Sequence, residues 1–311
     1  MHPRRFAKVT SMTNRFLPAS REALQGHAAM LLFSLLVAGS FSFGVRSANL
    51  IDPGAITAAR FAIAAGVIGG FAAARPGGIP RFAWRAPWRY PVLGAIFAAY
   101  FVLMFEGLKT ADAVSAAAVF TLTPVMSAGF AWLLLRQKMS FQIATALLLG
   151  GCGALWVIFR GDLHQLMRLQ LGRGEAIYLL GCAFHALYTP LVRKLNRGES
   201  AVVFSFGALL GGLIVLVIWE WRAIGATDWL HLPVIVWATV LYTAIFATGV
   251  SFVLVQFATL RLPSAKVMAY TYLTPAWVIG LEAILGQGLP GIVVVPGLLA
   301  TVTALGLLLR D

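Results

Sequence analysis

Charge is what this 311-residue sequence has least of. Asp, Glu, Lys and Arg together make up 11% of it, against about 25% in soluble domains. That shortage excludes a water-soluble enzyme of this size. Acidic residues are the scarcest: 11 Asp and Glu against 24 Lys and Arg, for a formal charge of +13. Two cysteines exclude a disulfide scaffold, and five histidines without metal-ligand spacing leave no metal centre to expect. Also missing are a Gly-x-Ser-x-Gly elbow, a phosphate loop and a His-Glu-x-x-His pair. The sequence therefore predicts neither an enzyme nor a cofactor, and no ATP-driven process within the chain.

What the sequence has in excess is apolar length. Hydrophobic residues make up 60% of it and the mean hydropathy is +0.85, which excludes disorder and indicates an integral membrane protein. Each helical crossing of a hydrocarbon core about 30 Å thick takes roughly 20 apolar residues. Continuous runs predict ten helices at about 27–46, 54–74, 89–108, 112–134, 140–159, 175–193, 201–219, 231–259, 264–285 and 290–309. A β-barrel would alternate apolar and polar residues instead. In a membrane protein the basic excess bears on orientation, not on nucleic acid, and the expected partners are the bilayer and a small-molecule substrate, with the protein a monomer.

Cytoplasmic loops accumulate Lys and Arg. With residues 1–26 inside as a basic tail, the inner segments hold Arg4, Arg5, Lys8, Arg15, Arg21, Arg75, Arg81, Arg85, Arg89, Arg136, Lys138, Arg193, Lys194, Arg197, Arg261 and Arg310. The outer segments hold Arg46, Lys109, Arg160, Arg168, Arg173 and Arg222. Both termini are thus expected in the cytoplasm of a cell (inner) membrane protein. Arg4-Arg5 faintly echoes a twin-arginine signal, but the apolar run begins some twenty residues later, so the segment reads as a tail.

The chain repeats once. Leu122-Thr123-Pro124 returns 151 residues later as Leu273-Thr274-Pro275, and the run from Gly26 to Leu32 matches Gly174 to Leu180, 148 residues on. Repeats 27–160 and 161–311 each hold five spans. An odd number inverts the second copy, as in many secondary transporters whose site lies at the midplane between repeats.

Ala58 to Ala65 with its Arg60-Phe61 pair, Gly107-Leu108-Lys109-Thr110-Ala111, the two Leu-Thr-Pro motifs, and Gly174 to Lys194 resemble the drug/metabolite transporter superfamily in its EamA-type ten-helix branch. The resemblance implies a basket in which spans one, three, four, six, eight and nine surround a central cavity. It also implies movement of small metabolites, often export of amino acids or related compounds. The sequence departs from the family at Ala38-Gly39-Ser40-Phe41, where a Trp-Gly-Ser-Asn run is usual. It departs again where Arg136-Gln137-Lys138 and Gly286-Gln287-Gly288 replace the usual Gly-Glu pairs.

Ionisable groups at membrane depth mark function or a partner. Arg60, Glu106 and Glu282 share the outer half by topology, so an Arg60–Glu106 or Arg60–Glu282 pair is expected; the alternative has Arg60 reaching the headgroups. Lys266 sits near the cytoplasmic end of span nine and reads as snorkelling. His185 falls near the midplane of span six, either hydrogen-bonded to a neighbouring helix or carrying a proton or touching substrate. Tyr100, Tyr188, Tyr242, Tyr270 and Tyr272 place hydroxyls in the bilayer interior and are candidates, with His185, for the substrate pathway; Trp277 is grouped with them. Pro124 and Pro275 are candidate hinges. Gly66-x-x-x-Gly70 and Gly207-x-x-x-Gly211 predict close helix contacts. Cys152 and Cys182 read as buried apolar side chains, and Trp84, Trp88, Trp229 and Trp237 as interfacial anchors.

These features favour a secondary transporter. A flippase for a lipid-linked group, a membrane enzyme and a channel are the alternatives. Glu106, Glu282 and His185 are groups that proton coupling would use and uniport would not.

Overall fold

The computed structural model describes residues 21–138, 140–167 and 171–309; Arg4, Arg5, Lys8, Arg15, Arg168 and Arg310 of the charge argument lie outside them. Ten helices are long and apolar enough to cross a membrane: α1 Arg21–Ser47, α2 Pro53–Ala74, α3 Arg89–Gly107, α4 Ala113–Leu135, α5 Phe141–Ile158, α6 Arg173–Leu195, α7 Ala201–Trp219, α8 Val234–Thr259, α9 Lys266–Ile284 and α10 Ile292–Leu309. The fold is an all-α integral membrane bundle of ten spans in two inverted five-helix repeats. No strand occurs among the described residues.

Local chemistry sets the helix starts. Asp52 caps α2, accepting from the backbone N–H groups of Gly54 and Ala55 just ahead of Pro53 at the first helical position. Asp112 caps α4 and Ser140 and Ser200 cap α5 and α7. These four spans thereby begin with orphan amides satisfied where the chain enters low dielectric.

Helix neighbours obey the repeat. α3 packs on α6 as α8 packs on α1, and α4 packs on α6 as α9 packs on α1. α2 meets α7, α4 meets α9 and α5 meets α10 across the pseudo-two-fold axis. Both Leu-Thr-Pro motifs interrupt their helices: α4 breaks at Thr121–Leu122, and α9 passes through a 3-10 turn at Tyr270–Leu273. Pro124 and Pro275 then open the second segments, where a missing amide costs nothing. The first segment of one broken helix packs on the second of the other.

Small residues allow the closest crossings. A Cβ on Gly94 would run into the backbone of Gly212 in α7, and one on Gly153 would lie 2.6 Å from the Gly297 carbonyl in α10. Gly207 and Gly211 likewise receive Tyr90. Gly66 and Gly70, expected to do the same, are exposed with nothing within 4 Å; the neighbouring Gly69 is the contact position, packed on Phe206. Cys152 is another correction: it is exposed, whereas Cys182 is buried, and both are free.

Candidate functional site

Side chains spaced at helical intervals converge where the repeats meet. Phe33, Val37 and Ser40 share one face of α1; Phe97, Tyr100 and Phe101 share one of α3; Ala247 and Ser251 share one of α8. With Phe120 of α4 and His185 of α6 they line an interior chamber of about 10 Å³, room for at most about one water. Five of the six spans implied by the resemblance reach it, and α9 does not. Its wall is aromatic, with Tyr100 and His185 rings 4.6 Å apart and Phe97 and Phe101 rings 4.7 Å apart.

Polar groups in and behind this wall define its chemistry. The Tyr100 and Tyr178 hydroxyls hydrogen-bond at 3.1 Å. Ser40 Oγ and His185 Nδ1 are buried with no partner. The His185 ring is enclosed by Phe97, Tyr100 and Phe120, which offer no partner to Nδ1. Unsatisfied polar atoms are costly in low dielectric.

The other candidate tyrosines are dispersed. Tyr188 lies next to the chamber through Phe97, its hydroxyl accepting from Gln256 Nε2 at 2.6 Å. Tyr242 donates to the Leu36 carbonyl at 2.9 Å, and Tyr270 pairs with His27 at 3.1 Å. Tyr272 packs on Gly150 of α5. Trp277 donates to Ser34 Oγ at 3.2 Å.

Arg60 is fully buried, so it does not reach the headgroups, and it pairs with neither expected carboxylate. Its Nε and Nη2 both donate to Thr248 Oγ1, at 3.0 and 2.7 Å, and its guanidinium lies 3.7 Å from the centre of the Phe101 ring. Thr248 belongs to a π-helical stretch, Ile245–Val250, inside α8. The glutamates are held by nearer cations: Glu106 by Lys109 at 2.6 Å, and Glu282 by Arg46 at 3.0 Å. Helix ends supply those cations within a turn or two, whereas Arg60 points inward from α2. Lys266 is half-buried.

Toward the end that holds Arg46 and Glu282, a recess of about 470 Å³ opens between α4, α5 and the α9–α10 loop. Asp112, Ser115, Arg160 and Glu282 line it, with Arg160 bonded to Asp112 at 2.7 Å. At the opposite end Arg89 is fully buried, donating to the Glu199 carboxylate at 2.6 Å and to the carbonyls of Ala83, Arg85, Ala86 and Leu195. Burial would raise the Glu199 carboxyl, but hydrogen bonds from Arg89 and the Arg197 amide hold it below the ordinary carboxylate value.

The EamA-like transporter family matches residues 24–159 and again 172–310. The chain belongs to that family. The uncharacterized transporter YyaM of Bacillus subtilis (strain 168) is 23% identical over 220 residues, covering 70% of this chain and 72% of that one. An uncharacterized transporter of Methanothermobacter thermautotrophicus is 24% identical over 204 residues, covering 63% of this chain and 58% of the relative. A protein of known crystal structure, 20% identical, aligns with a TM-score of 0.68 over 93% of this chain and 97% of that one, a likeness of fold. This EamA-family chain is a multi-pass membrane protein with a transporter's architecture.

The sequence alone singled out Tyr100 and His185 from the chamber wall. It missed Phe33, Val37, Ser40, Phe97, Phe101, Phe120, Ala247 and Ser251, and beside them Tyr178 and Thr248. In uniformly apolar helices no hydrophobic stripe distinguishes an interior face from a lipid face. Ser40, in the stretch where the sequence departs from its family, was the available signal.

Proposed function

We propose that this protein is a secondary transporter that moves a small metabolite, an amino acid or related compound, by alternating access, exporting it from the cytoplasm. The observation carrying this reading is the chamber enclosed between α1, α3 and α4 of one repeat and α6 and α8 of the other. Inverted repeats provide two arrangements of similar energy, and the closed chamber is the state between them. Aromatic walls with a few polar groups suit an amphipathic solute of small size. Pro124 and Pro275, at the breaks in α4 and α9, serve as hinges, and no bond in the solute is made or broken.

The excess of cations in the segments assigned to the inside supports an inner-membrane protein with both termini cytoplasmic. The Arg46 end then faces outward and the Arg89 end inward. A proteoliposome uptake screen of amino acids and small metabolites, with and without a pH gradient, tests the reading. Saturable uptake of at least one solute is expected; uptake equal to empty liposomes across the panel would refute it. Stimulation by the gradient would assign proton coupling, with His185 the first residue to substitute. Cysteines introduced in 76–88 should react from the cytoplasmic side only, and reaction from outside would invert the orientation.

A further inference from the structure

The described residues contain two fully buried arginines, and the fold treats them in opposite ways. Arg89 is neutralised by Glu199 and surrounded by backbone carbonyls. Arg60 has no carboxylate. Two of its nitrogens share the single oxygen of Thr248, and its Nη1 is buried without an acceptor. A guanidinium remains charged at neutral pH and offers five N–H donors in one plane. A hydroxyl has two acceptor positions and one donor. Both acceptor positions of Thr248 are occupied by Arg60, and no protein acceptor takes its proton among the described residues. Two kinds of donor, the Arg60 Nη1–H groups and the Thr248 O–H, are thus left without a partner at a site that already carries positive charge.

We propose that Arg60 and Thr248 form the seat of a monovalent anionic group, the carboxylate of the transported solute. The inference rests on the transport reading and names the chemistry that the site selects. Phe101 is the partition between seat and chamber: its ring lies against the Arg60 guanidinium and also lines the chamber. Ala247 of the chamber wall directly precedes Thr248. In this closed state the chamber has room for at most about one water; once the repeats part and Phe101 swings aside, a solute lying among Phe33, Phe97 and Phe120 has its charged end at Arg60. The π-helical turn places Thr248 against Arg60 and lets the backbone of α8 adjust locally as the anion enters; such turns recur at functional sites. A planar guanidinium recognises a carboxylate through two parallel hydrogen bonds, which a point charge does not reproduce.

The test uses the purified full-length protein in Tris–sulfate buffer of constant ionic strength, its thermal midpoint titrated with acetate, phenylacetate, phenylacetamide and chloride. Wild type is expected to gain a saturable stabilisation from acetate and from phenylacetate, the latter half-saturating at least tenfold lower because its ring fills the aromatic wall. Phenylacetamide, lacking the charge, should give none. Arg60→Gln should abolish the response, Arg60→Lys should weaken it at least tenfold, and Thr248→Val, which leaves the charge in place, should weaken it severalfold. If Arg60→Gln fails to fold, Arg60→Lys and Thr248→Val still decide. A response that both keep unchanged, or no saturable response to any anion in wild type, overturns the proposal. Stabilisation by chloride with none by phenylacetate would assign the seat to an inorganic ion and overturn the cargo assignment. Wild-type uptake in proteoliposomes separates the two readings: uptake of solutes unaltered by Arg60→Gln leaves transport standing and removes the anion seat. Anion binding lost in Arg60→Gln, with no uptake by wild type, keeps the seat and removes transport.

Discussion

Arg46 and Glu282 form a two-pronged ion pair, Nη1 to Oε1 at 3.0 Å and Nη2 to Oε2 at 3.2 Å, that ties α1 of the first repeat to α9 of the second. The repeat offsets of 148 and 151 residues put Lys194 and Ala131 in the corresponding places at the other end of the bundle. Alanine cannot pair with a cation, so this latch has no symmetry mate; Arg89 and Glu199 tie the repeats at the other end instead.

Glu282→Gln should shift the bundle toward opening at that end. The pair is partly solvated, so its worth is at most about 1 kcal/mol, a population change of about fivefold. Spin labels at the exposed positions Leu50 and Leu289 should report the longer-distance population rising, and raising salt should produce part of the same shift in wild type. Identical distance distributions in wild type and variant would remove the latch.

At the opposite end, Glu199→Gln should destabilise the protein by about 3–5 kcal/mol, because Arg89 is left buried with its charge uncompensated. The folded Glu199 carboxyl ionises below its unfolded value of about 4.3. Its contribution is therefore complete above that value and is lost as pH falls through the folded one. The gap in melting temperature between wild type and Glu199→Gln should be constant from pH 8 to about 6 and narrow below about 4. A gap independent of pH would show that the carboxylate charge is not what stabilises this end.

The ten spans, the broken proline helices and the family were legible because each depends on local signals: apolar run length, Leu-Thr-Pro, and motifs at fixed separation. The partners of charged residues were not. Arg60, Glu106 and Glu282 share one half of the membrane, and depth along the chain cannot tell which helix face turns toward which neighbour. The cations that take the two acids, Lys109 and Arg46, sit at helix ends and were counted for orientation alone. The same blindness misassigned Gly66 and Gly70, since a small-residue spacing looks identical on a packed face and on a lipid face.

Gly94→Val should abolish folded protein, since its side chain would collide with the Gly212 backbone, whereas Gly66→Val meets open space. Size-exclusion chromatography in detergent after matched expression separates them. Equal yields would mean the α3–α7 crossing is looser than it stands here.

Among the tyrosines, Tyr100→Ala should reduce transport at least tenfold in protein that still folds, since it removes a chamber wall and the partner of Tyr178. Tyr272→Ala should instead lower the melting temperature and the folded yield, because the ring fills a surface beside Gly150 away from the chamber. Uptake per folded molecule, measured for both, checks the distinction; the reverse ranking would move the pathway toward α9.

Alternating access requires that one chamber residue be reached from each side in turn. Ser40, buried in the wall with no partner, is the position to probe. With Cys152 and Cys182 replaced by alanine, Ser40→Cys in oriented vesicles should react with a membrane-impermeant thiol reagent added to either side. A transported solute should slow both reactions. Reaction from one side only, or reaction from both sides unaffected by solutes that the protein carries, would contradict the account.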